Sequence, residues 1–132
     1  MAQPASFTPI ALLMFLTGVG IPIMAAFNSA LGAQLGSAAA ATFVLFVVGV
    51  VLSGAVLALV GLPPLGGLSL ERPHLYTGAA FILFYALSIT WAAPRIGVGN
   101  AVFFVLLGQL VAAAAIDHFG LWGALKAELI VL

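Results

Sequence analysis

The side chains in this chain that can do chemistry are few, so their placement carries most of the information. Thr17, Asn28, Asn100 and Gln109 are uncharged polar residues embedded in long apolar runs. Arg95, Asp117 and His118 stand at the two ends of one such run, PRIGVGNAVFFVLLGQLVAAAAIDHFG, from Pro94 to Gly120. A carboxylate beside an imidazole can tune a pKa into the physiological range, so Asp117 and His118 can form a protonatable pair. The alternative is that both are solvated at an interface, with Asp117 capping the next helical turn. Their position at the end of the run favours the interface, because ionisable residues act as relays mainly when they lie deep in a membrane. Arg95 reads likewise as an interface anchor.

Other chemistries find no residues. There are no cysteines, which excludes a disulfide framework, a zinc knuckle and thiol chemistry. No metal cluster, nucleophile with an adjacent base, or pair of carboxylates occurs at useful spacing, so neither an enzyme nor a bound metal or cofactor is expected. Net charge is zero and there is no basic patch for nucleic acid.

What must position these residues follows from composition. The chain is 65% hydrophobic and 5% charged, with a mean hydropathy of +1.36, whereas soluble domains carry about a quarter charged residues. No Asp, Glu, Lys or Arg precedes Glu71. Such a sequence must satisfy its backbone inside lipid, which only helices and closed barrels do. Long apolar runs without alternation select helices. The expectation is one all-α, polytopic membrane domain over residues 1–132, with membrane lipid as its surroundings. The start, Met1 to Ser6, lacks the positive region of a secretory signal and reads as leading into a retained first span.

Four spans are expected, at about 7–31, 38–60, 74–93 and 97–116. The first contains Gly18, Gly20 and Pro22, and Pro22 cannot donate to the carbonyl of Gly18, so a hinge is expected there. At helical periodicity Gly18, Pro22, Ala25, Ser29 and Gly32 form a small stripe suited to close packing, beside a second stripe of Thr17, Ile21, Met24 and Asn28. Gly32 to Ser37 reads as a turn. In the second span Gly49 and Ser53, with Gly54, Ala58 and Gly61, form further small rows. Leu62 to Pro73 is a connector broken by prolines and glycines. The third span presents Phe81, Phe84, Tyr85, Ser88 and Trp91 on one stripe, which reads as lipid-facing or packing surface ahead of a cage for an organic cation. The fourth is the Pro94 to Gly120 run, with Pro94 as a helix stop. Segment 119–132 is too short to cross a bilayer and reads as an interfacial or incomplete fifth helix.

Each intramembrane polar group has two readings. Gln109 makes either an interhelical hydrogen bond or a pathway contact. Asn28 and Thr17 gain weight as pathway residues from the neighbouring hinge, which frees a carbonyl. Asn100 and Gln109 are nine residues apart and point to opposite sides of a straight helix, so at most one faces a cavity at a given depth. Arg95 and Asp117 are roughly 33 Å apart along one helix and cannot pair within a chain. In an antiparallel dimer, Arg95 of one copy shares a membrane face with Asp117 of the other. Lys and Arg are spread over both sides, which gives little orientation bias.

The pattern Pro22…Asn28-Ser29-Ala30-Leu31-Gly32, with Pro94-Arg95-Ile96-Gly97, Gly108-Gln109 and Asp117-His118-Phe119-Gly120-Leu121-Trp122-Gly123, resembles the YdcZ-type family of the drug/metabolite transporter superfamily, over nearly the whole chain. The resemblance implies a bacterial inner-membrane protein equivalent to half of an inverted-repeat transporter. Half-size members are expected to pair as antiparallel homodimers or as paralogous heterodimers. The expected function is that of a small transporter subunit moving a small-molecule solute through a pathway lined by Thr17, Asn28, Asn100 and Gln109. A non-transporting scaffold or accessory subunit is the alternative.

Overall fold

The computed structural model describes residues 6–126. Four long helices make the fold: α1 (Phe7–Leu35), α2 (Ala38–Val60), α3 (Gly78–Ile96) and α4 (Val98–Phe119). All four are long and apolar enough to span a membrane. Short 3-10 turns lie at Leu65–Gly67 and Pro73–Tyr76 before α3, and at Leu121–Gly123 after α4. The described part of the tail is that last turn and the residues up to Lys126. The remainder of the expected fifth segment, 127–132, lies outside the described residues.

Several boundaries differ from the sequence reading, among them the start of α3, at Gly78 and not at 74 because Pro73–Tyr76 forms a separate 3-10 turn. Helix α1 does not stop at Leu31 but continues to Leu35, with Gly32 inside it. The reversal comes at Gly36, whose φ of 68° is left-handed. The Ser37 amide donates to the Gly32 carbonyl at 3.0 Å and the Gly36 amide to Ala33 at 3.4 Å, the paired bonds that close a helix at a left-handed residue. Ser37 then opens α2, its hydroxyl accepting from the Ala40 amide at 3.0 Å. Two residues thus end one helix and begin the next.

Pro94 does not stop α3, which runs on to Ile96. A proline in the last turn removes one backbone donor and leaves the rest of the turn intact. The stop is Gly97, at φ 88° and ψ 147°, a conformation essentially restricted to glycine. At the other end of the fourth span, Asp117 and His118 lie inside α4, which closes at Gly120 with φ 59°. Asp117 therefore sits in a final helical turn and does not cap a following one. Helix α1 runs on through Gly18, Gly20 and Pro22, the residues of the expected hinge.

Close packing is confined to one half of the molecule. Every buried residue among those described falls within 25–42 or 86–101, the half bearing the α1–α2 and α3–α4 turns. Ala25, Ile89 and Ala101 form its centre, with Tyr85, Val98, Val102 and Val105 against them. Gly32 is the close-approach glycine: a Cβ there would lie 3.0 Å from the Thr90 methyl and 3.7 Å from Ala41. In the other half Gly18, Gly20, Gly49, Gly54 and Gly108 have open space where a side chain would be. The small stripe of α1 therefore packs through Ala25, Ser29 and Gly32, and its upper end at Gly18 meets nothing within the chain.

Candidate functional site

The packed half holds the polar residues that matter. Asn28 and Thr90 are 4% and 3% exposed, and the Asn28 amide donates to the Thr90 hydroxyl at 2.5 Å. This bond joins α1 to α3. Both side chains have been drawn into an apolar interior, where a polar group without a partner is costly. Each satisfies part of the other's requirement.

The pair borders cavities on two sides. Asn28 lines a groove of about 270 Å³ between α1 and α2, with Met24, Phe27, Leu31, Val44 and Val48 as apolar walls. Thr90 lines a second cavity, of about 340 Å³, with Ser29, Gly32, Ser37, Trp91 and Arg95. The first is almost wholly apolar, and the second, though still mainly apolar, has the larger polar share. Ser29 and Thr42 contribute buried hydroxyls that have no hydrogen-bond partner, as does the half-buried Tyr85. An apolar cavity, Met24 to Ile82, passes Gly49 and Ser53, and another lies against Thr42 between α2 and α3.

The remaining candidate residues lie apart from this pair. Thr17 is exposed and donates to the Met14 carbonyl at 2.7 Å. It sits eleven residues from Asn28, roughly 16 Å along the helix. Asn100 is exposed and donates from the first turn of α4 back to the carbonyl of Ile96, the last residue of α3, at 2.7 Å. Gln109 lies on an exposed face of α4. Arg95 donates to the Trp91 carbonyl and its guanidinium lies 4.2 Å from the centre of the Trp91 ring. Asp117 is half-buried and His118 exposed, His118 meeting the Phe119 ring edge to face. These two stand at the opposite end of α4 from Arg95. Among the described residues no group of three His, Cys, Asp or Glu could hold a metal ion.

Thr90 and the Ser29 hydroxyl were not singled out from sequence as site residues. A signal for Thr90 does exist: it is a small polar residue six positions before the end of α3, and Asn28 is seven before the end of α1. Two polar residues at matched depth in spans joined to neighbouring turns can meet. On the aromatic stripe, Phe81 and Phe84 are 77% and 76% exposed, consistent with a lipid-facing surface.

The family model described as "Putative inner membrane exporter, YdcZ" matches residues 9–131. No curated protein and no solved structure matches the chain. The family match spans all four helices, including both residues of the buried pair and the Arg95 and Asp117 ends of the last span, so the chain belongs to the YdcZ family of inner-membrane exporters.

Proposed function

We propose that this chain is one half of an exporter that works as a dimer, moving a small organic solute across the inner membrane along a pathway that passes the Asn28–Thr90 pair. The observation that carries this reading is the pair itself: a buried polar contact with a cavity on the Asn28 side and another on the Thr90 side. Polar groups deep in a span are expensive and mark solute paths when they border space that water or substrate can enter. Transporter sites of this kind lie where helices from two repeats meet.

The dimer supplies what four helices lack. One half of this chain is loosely packed, and its glycines at 18, 20, 49, 54 and 108 are open. A second copy, or a paralogue, would give the pathway its opposite wall and bring Thr17, Asn100 and Gln109 off an exposed surface. The basic residues support an antiparallel arrangement: Arg72 and Lys126 lie at one end of the helices and Arg95 at the other, which barely biases insertion. In this arrangement the chain is one unit of an inverted repeat assembled from two polypeptides.

The test is the accessibility of introduced cysteines at Asn28 and Gln109 to membrane-impermeant maleimide. An exporter presents both to water from at least one side during its cycle. A scaffold keeps both in dry packing, and absence of labelling from either side would remove the transport reading.

A further inference from the structure

Helix α4 parts from its own bundle half-way along. Ala101 is its only buried residue, and every residue of 106–113 is exposed, so for about two turns the chain covers no side of this helix. A Cβ added at Gly108 would meet nothing within 4 Å. Gln109 is the only polar side chain in this bare stretch, LLGQLVAA. An amide carries two N–H donors and a carbonyl acceptor, and an exposed face in the middle of a span offers it hydrocarbon, a costly setting for such a group. The Asn28 amide, by contrast, has its partner inside the chain.

Depth identifies the partner of Gln109. Helix α4 runs from Val98 to Phe119, and Gln109 is eleven residues after the first and ten before the last, within about 1 Å of the helix midpoint. When two copies are related by a two-fold axis in the membrane plane, a residue at one depth has its mate at the mirrored depth. Only a residue at the midplane can meet itself. A glutamine amide suits such a meeting, because two of them exchange a reciprocal pair of N–H···O bonds. The charges at the helix ends agree. Arg95, one residue inside the end of α3, is level with the start of α4, about 16 Å from Gln109, and Asp117 lies about 12 Å from it on the other side. Antiparallel copies crossing at Gln109 set the arginine of one nearly level with the aspartate of the other, whereas parallel copies set like charges level.

We infer that the exposed face of α4 takes a second copy of this chain, with the two Gln109 side chains hydrogen-bonded to each other across the axis. The open Gly108 beside them lets the two backbones approach closely. This contact rests on the antiparallel homodimer of the reading above and gives it a surface and a central residue.

The experiment combines disulfide trapping with a separate measure of assembly. Gln109→Cys, Leu106→Cys and Ala113→Cys are made singly in the cysteine-free chain and oxidised in native membranes, where trapping captures even a weakened dimer. With the axis at 109, the two copies of residue 106 differ in depth by about 9 Å and those of 113 by about 12 Å, beyond the roughly 7 Å limit of a disulfide. The expected result is a covalent dimer at 109 and none at 106 or 113. Gln109→Met keeps the length of the side chain without its amide. It should weaken dimerisation in liposomes by about sevenfold or more, the loss of two intramembrane bonds of average measured strength. Photobleaching counts of the labelled parent in liposomes report independently whether a dimer forms. A dimer without the 109 disulfide, equal disulfides at all three positions, or a Gln109→Met protein that associates as tightly as its parent overturns this proposal and leaves a dimer standing. A parent that stays monomeric, its α4 face covered by lipid alone, overturns both.

Discussion

The amide of Asn28 on α1 and the hydroxyl of Thr90 on α3 share a hydrogen bond of 2.5 Å in the most tightly packed part of the molecule. They are 62 residues apart in sequence, so the contact fixes how the first helical hairpin sits on the second. Removing either partner alone leaves a buried polar group without its mate. Asn28→Ala and Thr90→Val should each lower the thermal midpoint in detergent. The double variant should cost less than the sum, with a coupling of about 0.6 kcal/mol and no more than about 1.7 kcal/mol, the average and the maximum measured for such bonds inside membranes. Strict additivity in the double-mutant cycle would show that the bond contributes nothing.

Gly32 and the open glycines should behave oppositely. A methyl at Gly32 would lie 3.0 Å from Thr90 Cγ2 and 3.7 Å from the Ala38 backbone. Thr90 is held by Asn28 and has little freedom to move aside, so Gly32→Ala should destabilise by about 1 to 3 kcal/mol, the usual cost of overpacking. Gly18→Ala or Gly54→Ala meets open space within the chain and should leave the monomer's stability unchanged or slightly raised. If these open glycines lose dimer while keeping the fold, the small rows serve the second copy. Thermal melts and crosslinking of each variant separate the two effects.

Gly97 sets the turn between α3 and α4 with φ 88° and ψ 147°. A side chain there is strained whatever the space around it, and Gly97→Ala should cost about 1 to 3 kcal/mol. Pro94→Ala should be mild by comparison, because Pro94 occupies the last turn of a helix that continues past it. A helix stop at Pro94 would predict the reverse order, which the same melts would detect.

The antiparallel arrangement makes a separate prediction about topology. Reporter tags at each terminus should be found on both sides of the membrane in comparable amounts, as expected for a chain whose basic residues are balanced between its ends. A single fixed orientation would exclude the antiparallel homodimer and leave the paralogous heterodimer.

Much of this fold was legible in the sequence because membrane burial imposes it. With no charge before Glu71, only helices or a closed barrel can satisfy the backbone, the long non-alternating runs select helices, and the second span, 38–60, coincides with α2. Boundaries were harder where one residue type serves two purposes. Gly32 looked like part of a turn, yet it lies within α1 because Thr90 needs its missing side chain, and the turn glycine is Gly36. Pro94 looked like a stop because its effect depends on how many donors follow it.

The site was legible only in part. Asn28 stood out as a polar residue in an apolar span. Its partner did not, because Thr90 is small, tolerated in any helix, and distant in sequence. The Ser29 hydroxyl was hidden by its neighbours' size: in the stripe of Ala25 and Gly32 it reads as packing. Its lack of a partner is a property of three dimensions.

The central claim is that solute passes the Asn28–Thr90 pair, and cysteine accessibility addresses it most directly. Asn28→Cys and Gln109→Cys, each introduced singly into the otherwise cysteine-free chain, would be exposed to impermeant maleimide from the periplasmic side of cells and from both sides of opened membranes. The account predicts labelling of both positions from at least one side, although Asn28 is 4% exposed in the static fold, because the pathway must open past it. Properly inserted, folded protein that labels at neither position from either side would contradict it.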